Sequence, residues 1–235
     1  MRGCLFTLVL GAVVIGALLV FALPRVLEGV ITASLTTAGF QARETSVRLE
    51  QDDPLSLIGL KADRVTIDAV DATIGDLDAG AVHLVLEDVD LGTRAADAVT
   101  GTLSDVATVS AGDPIDIPEI RLAGDTTKLE AVASIDASDV EAIVKERVTA
   151  ALGEPPTDVR IEAPNVMTIT VRGFPVTGTL LVDETGALRL SLSDPISTDV
   201  VILEPKATLM DLRAVRVAGD RLVLEGDVDV STLIG

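Results

Sequence analysis

The sequence predicts an α+β, β-rich protein: curved antiparallel sheet, an amphipathic helix near the N-terminus and one central helix, preceded by a single transmembrane helix. Three observations predict it. Hydrophobic residues make up 48% of the 235 residues, but aromatics only 2%, with no Trp and no Tyr. The core is therefore aliphatic, and β-branched side chains suit a pleated surface. From Thr45 onward apolar residues recur every second position, the period of a strand with one buried face. Finally, Leu5 to Leu23 is a run of 19 residues without a charge.

That run comes first. As a helix it spans roughly 28 Å, close to a hydrocarbon core. Arg2 precedes it and Arg25 is the only close positive charge after it, a slight bias that keeps the N-terminus in the cytoplasm. The expectation is a single pass, with the domain on the outer face of the cytoplasmic membrane. A cleaved signal peptide is the rival reading, with Val20-Phe21-Ala22 as the acceptable cleavage site; the domain is then secreted. Residues 1–24 are accordingly anchor or signal segment, and 25–235 the exported β-rich domain. Cys4, the one cysteine, excludes an internal disulfide; it precedes the apolar run, where a lipoprotein cysteine would follow it.

After Pro24, Leu27, Val30, Ile31, Leu35 and Ala38 recur at helical spacing and predict an amphipathic helix over 26–39, closed by Gly39. Its polar face lacks the Lys and Arg of an interfacial helix, which favours a lid on the β-domain over a place on the bilayer. Strand alternation then follows. Val47 and Leu49 alternate with Arg48 and Glu50, Val65 and Ile67 with Thr66 and Asp68. Val82, Leu84 and Leu86 alternate with His83, Val85 and Glu87, running on through Val89 and Leu91. Asp and Gly clusters at 75–80 and 92–101 divide the runs, as in an antiparallel meander.

Ser138-Asp139-Val140-Glu141 reads as a capping box. Val140, Ile143, Val144, Val148, Ala151 and Leu152 continue it as the apolar stripe of a central helix, 138–152. Gly153 and Pro155-Pro156 end that helix. Strands resume at Val159 and Ile161, then Met167, Ile169 and Val171. Thr179–Val182 and Leu188–Leu192 flank a turn at Glu184-Thr185-Gly186. Val215 and Val217 lead through Ala218-Gly219-Asp220 into Leu222 and Leu224, a second hairpin. The halves 45–135 and 157–230 are each strand-rich.

Charge excludes some functions. The net charge is −19 and the pI about 4.2, so nucleic acid is a poor partner, because its binding rests on cations meeting phosphates. Base stacking lacks its aromatics, and an anionic lipid surface repels most of the domain. Asp outnumbers Glu and Arg outnumbers Lys, a balance like that of GC-rich actinobacterial proteomes, or of halophiles.

Catalytic chemistry finds little support. His83, the only histidine, lies among strand residues; there is no Gly-x-Ser-x-Gly turn and no phosphate-cradling glycine loop. Asp76, Asp78 and Glu87 match positions 1, 3 and 12 of a calcium loop, but the required glycine is Ala81, with Gly80 one place early. Asp227-x-Asp229 is equally a solvated pair. No catalytic residue, cofactor or metal is expected. The scarce cations Arg213, Arg216 and Arg221 cluster at the last hairpin, and Lys61 with Arg64 precedes a strand; either group could grip a lipid phosphate. Val65, Ile67, Val82, Leu84, Leu86, Ile169 and Val171 could line a groove for acyl chains or simply fill a core.

The order of features resembles the LmeA-like phospholipid-binding family of actinobacterial cell-envelope proteins. An N-terminal anchor and amphipathic helix lead to the strand run Arg64-Val65-Thr66-Ile67 through His83 to Val89. Ile135-Asp136-Ala137-Ser138-Asp139-Val140 forms the strand-to-helix step, and the closing hairpin runs from Val215 to Gly226. The likeness covers nearly the whole chain as patterns of alternation. One departure is that Asp53-Pro54-Leu55 stands where the family carries a Gly-Phe-Pro-Phe-type segment; Gly173-Phe174-Pro175 comes much later. The resemblance implies a fold similar to tubular lipid-binding domains. It also implies a non-catalytic protein binding phospholipid or another envelope lipid, in support of envelope glycolipid or lipoglycan synthesis. Its partners would be the cytoplasmic membrane and envelope biosynthetic enzymes. The alternatives are a tethered structural or interaction protein, and an enzyme using clustered carboxylates with a divalent metal.

Overall fold

The computed structural model describes residues 23–37, 39–53, 56–74, 77–110, 113–205, 208 and 210–228. Two antiparallel sheets, two α-helices and one short 3-10 helix (Ser56–Gly59) make up its regular structure among the described residues. Helix α1 covers Leu23–Thr37, and a meander follows: β1 (Phe40–Glu50), β2 (Lys61–Ile74), β3 (Leu77–Asp90), β4 (Ala95–Ser110), β5 (Asp113–Gly124) and β6 (Leu129–Asp136). Helix α2 (Ala137–Leu152) leads to β7 (Val159–Glu162), β8 (Val166–Val171), β9 (Phe174–Val182), β10 (Leu188–Leu192) and β11 (Asp199–Leu203). The last hairpin, β12 (Met210–Ala218) and β13 (Arg221–Val228), returns to the first sheet beside β6. The larger sheet thus has the order β1-β2-β3-β4-β5-β6-β13-β12, and the smaller one β11-β10-β9-β8-β7. The strand-rich halves are therefore not separate units, because the closing hairpin completes the sheet begun by the first half.

Period-two alternation builds the long strands, but it breaks at fixed places. In β2, Val65, Ile67 and Ala69 face inward on odd positions; after the outward pair Val70-Asp71, Ala72 and Ile74 face inward on even ones. In β3 the phase shifts at Gly80-Ala81 and again at Glu87-Asp88, so Val89 does not continue the alternation of Val82, Leu84 and Leu86. In β4 it shifts at Ser104-Asp105. Register survives each break, since both partners pass through an unpaired residue: Val70↔Ala81 is followed by Ala72↔Ala79, and Ala81↔Ser104 by Ala79↔Val106. The breaks form a line across the sheet, Arg43, Asp71, Gly80, Asp105 and Pro118.

Asp71, Asp88 and Asp105 hold φ of 50°, 50° and 52°. Asp tolerates the left-handed region because its short polar side chain bonds locally. Each such residue bends its strand, and aligned bends curve the whole sheet. Aspartate here shapes the backbone as well as solvating the outer face.

The remaining elements depart from expectation in identifiable ways. Helix α1 begins at Leu23 and includes Pro24, which its first turn tolerates. Gly39, at φ 89°, closes it with its N–H on the Thr36 carbonyl at 3.2 Å. Leu27, Ile31 and Leu35 pack on the core, but Val30 points outward at 55% exposure; Ala38 lies outside the described residues. In α2 the capping box does not form. Asp136 is the N-cap and makes no side-chain cap bond, while the Asp220 carbonyl takes the Ala137 N–H at 2.9 Å. Strand β6 runs directly into α2, so the β12–β13 turn does what Ser138 was expected to do. Gly153, at φ 80°, ends α2 as its sequence demands. Of the expected membrane segment, 1–24, residues 1–22 lie outside the described residues and Leu23 and Pro24 open α1; among those described, no helix is long and apolar enough to cross a membrane.

The β9–β10 turn forms where expected, with Gly186 at φ 81°. The Asp183 carboxylate accepts bonds from the Thr185 hydroxyl at 2.6 Å, the Thr185 N–H at 2.8 Å and the Ala187 N–H at 3.0 Å, and pairs with Arg189. These groups, the Thr185 hydroxyl first and Arg189 next, hold its pKa far below the ordinary carboxylate value. A depressed folded pKa stabilises above the unfolded value of about 3.9, and the benefit fades as pH drops below it. Asp183→Ala is therefore expected to lower the melting temperature at neutral pH, with the gap to wild type narrowing steadily below about pH 4. Thermal unfolding followed by circular dichroism across that range checks this.

Candidate functional site

The bent sheet leaves its concave face incompletely filled. A cleft of about 120 Å³ is lined by side chains of β1 to β6 and β13, with Leu35 of α1 forming one wall. Cross-strand register places the lining in rows. Leu86, Val99, Leu129 and Val228 share one, Ile67, Leu84 and Leu122 the next, and Val82, Leu103 and Ile120 a third. Phe40 and Ile74 close one corner. Small residues on the same rows make room: Gly101 stands between Leu84 and Leu122, and Ala131 follows Leu122. A Cβ on Gly101 would collide with the Leu84 side chain and lie 2.9 Å from the His83 carbonyl.

Three polar residues reach the lining, Asp125, Thr126 and Thr208. Asp125 is committed to its own turn, accepting bonds from the Thr127 hydroxyl at 2.5 Å, the Thr127 N–H at 2.6 Å and the Lys128 N–H at 2.8 Å. Those donors, led by the Thr127 hydroxyl, lower its pKa. Its role is to brace the β5–β6 turn. Thr126 likewise bonds the Ala96 backbone. The walls offer a surface on which alkyl groups are more stable than in water.

The residues expected to line a groove divide three ways. Ile67, Val82, Leu84 and Leu86 line the cleft. Val65 sits on the same inward face, 2% exposed, without reaching it. Ile169 and Val171 do not belong there: both lie on β8 of the smaller sheet, 0% and 5% exposed. Their period-two pattern matches that of the cleft strands because a closed core and an open groove require the same alternation. Val99, Leu103, Ile120, Leu122 and Leu129 were missed. Their strands are diluted by Ala, Thr, Ser, Asp and Gly, so the alternation is faint until β3 and β6 supply partners.

The three arginines expected to meet a headgroup are each paired already. Arg213 holds Glu130 and Asp227, Arg216 holds Glu225 at 3.0 Å, and Arg221 holds Asp136 at 3.0 Å. Lys128 and Arg213 together lower the Glu130 pKa. A lipid phosphate would have to displace these carboxylates. Arg64 is similarly engaged by Glu87 at 2.8 Å.

His83 is exposed, with Nδ1 2.6 Å from the Asp68 carboxylate that also binds Arg48. These contacts, His83 first, lower the Asp68 pKa. Asp78 accepts the Thr73 hydroxyl and Glu87 belongs to Arg64, while 77–90 is continuous strand rather than loop. Asp76 and Asp229 lie outside the described residues. Among the described residues, no three His, Cys, Asp or Glu side chains stand close enough to hold a metal ion. No family model matches the chain, and no curated protein or solved structure matches it.

Proposed function

We propose that the chain is a non-catalytic lipid-binding protein of the bacterial envelope, of the LmeA-like kind that its order of elements resembles. In this reading it is tethered to the outer face of the cytoplasmic membrane by the apolar run and holds phospholipid acyl chains in the cleft. It would thereby serve envelope enzymes that build glycolipids or lipoglycans. The single observation that carries the reading is the cleft's lining, aliphatic side chains from seven strands and a helix with only three polar residues among them.

Each CH₂ moved from water into such walls contributes about 0.8 kcal/mol. The cleft's size sets a condition. At about 120 Å³ it resembles a cavity that takes one benzene, roughly 150 Å³, so a fatty chain enters only as Leu35 and α1 move aside. Extraction of the purified protein into organic solvent, followed by mass spectrometry, is expected to yield co-purified phospholipid. Protein that is lipid-free and takes up no added phospholipid would move the reading to a structural or interaction protein. Stoichiometric divalent metal would favour the carboxylate enzyme.

A further inference from the structure

Helix α1 is apolar on two opposite sides. Its only charges are Arg25 and Glu28. Leu27, Ile31 and Leu35, at i, i+4 and i+8, turn to the core. On the other side Val26 and Val30 are 60% and 55% exposed, and the exposed Gly29 and Ala33 extend that stripe. An apolar stripe on a helix is stabilised when it is covered, and the domain covers only the first of these two.

Two hydroxyls of α1 are satisfied within the helix. Thr32 Oγ1 donates to the Glu28 carbonyl at 2.9 Å, and Thr36 Oγ1 to the Thr32 carbonyl at 3.1 Å. This back-bonding within the helix is how Ser and Thr are accommodated in apolar surroundings. Chain continuity then identifies the cover. The uncharged run Leu5–Leu23 ends at the first residue of α1, with no linker between them. At helical rise, Val26 and Val30 lie within roughly 5 and 10 Å of the end of that run, so the stripe starts at the membrane surface wherever the run is embedded.

We infer that the outer stripe of α1 rests in the interfacial layer of the bilayer, while its inner stripe closes the cleft. The wall that must move to admit a fatty chain is thus the element in contact with the lipid source. The inference rests on the proposed function for its purpose, but its geometry can be tested separately.

The test uses the full chain with Cys4→Ser, which removes the only cysteine, and a single new cysteine at Val30→Cys carrying a bimane fluorophore. Val26→Cys is a second probe, and Ala142→Cys, exposed on α2, is the control. In phosphatidylcholine vesicles with brominated acyl chains, the probes at 30 and 26 are expected to shift to the blue and lose most of their intensity, while the probe at 142 keeps its own. Equal emission at 30 and 142 overturns the inference. So does protection of the probe at 30 in detergent that rises with protein concentration, since a second copy is then the cover. Phospholipid extracted from the same preparations keeps the two readings apart. Bound lipid with an unquenched probe at 30 removes this inference alone, whereas quenching in a chain that binds no lipid removes the cleft's function alone.

Discussion

Ile169→Asp is expected to leave no folded protein, whereas Leu84→Asp is expected to fold and lose its lipid. Ile169 is 0% exposed on β8 of the smaller sheet, between β7 and β9. Removing its side chain alone costs about 2–5 kcal/mol, and a carboxylate in its place has no partner to offset desolvation. The sum approaches the whole stability of a typical domain, about 5–15 kcal/mol. Leu84 is only half-buried and forms a cleft wall, so its replacement costs roughly 1–2 kcal/mol. A charge there still opposes any alkyl chain entering the cleft. Circular dichroism and lipid extraction on the two variants give the answer together. A folded, lipid-loaded Leu84→Asp protein would remove the cleft from the mechanism, and a folded Ile169→Asp protein would contradict the closed core around β8.

Gly124→Ala is expected to be the most damaging change of a single methyl group. Gly124 ends β5 at φ 153°, and a Cβ there would collide with the Lys128 carbonyl oxygen and lie 3.0 Å from the Leu129 Cα. Both obstacles are backbone, held by the Asp125 N–H on the Lys128 carbonyl at 3.0 Å and by the β5–β6 ladder. Relief requires opening the turn that Asp125 braces, at a cost of roughly 2–4 kcal/mol. For a domain of this size that lowers the melting temperature by about 5–15 °C. Gly219→Ala is the comparison: its φ of 67° is also left-handed, but no atom lies within 4 Å of the added carbon. A smaller drop at Gly124 than at Gly219 would show that the β5–β6 turn yields more easily than its bonds imply.

Much of the architecture was legible in the sequence because each cue is local. Gly153 and Pro155-Pro156 stop α2, Glu184-Thr185-Gly186 turns β9 into β10, and Gly219 turns β12 into β13. A backbone that needs a left-handed residue declares it through glycine. The phase breaks at Asp71, Asp88 and Asp105 were not legible. Aspartate on an exposed strand position looks the same whether it solvates a face or bends a strand; only the register across β2, β3 and β4 puts Asp71 and Asp105 on one line through Gly80, and Asp88 on another with Asp63 and Asp97. The capping residues of α2 were misread for a related reason: the carbonyl that satisfies Ala137 comes from Asp220, far along the chain.

By itself the sequence determined a β-rich, aliphatic, acidic protein with helices at two known places, because composition, period and punctuation act within a few residues. The tertiary structure alone decided which apolar faces meet one another and which meet empty space. It sent Ile169 and Val171 into a sealed core and left Ile67, Val82, Leu84 and Leu86 around a cleft. It also turned Val30 outward while Leu27 and Ile31 turned in. Burial depends on what lies across the sheet or helix, and those partners come from strands tens of residues away, so alternation along one strand carries no information about them.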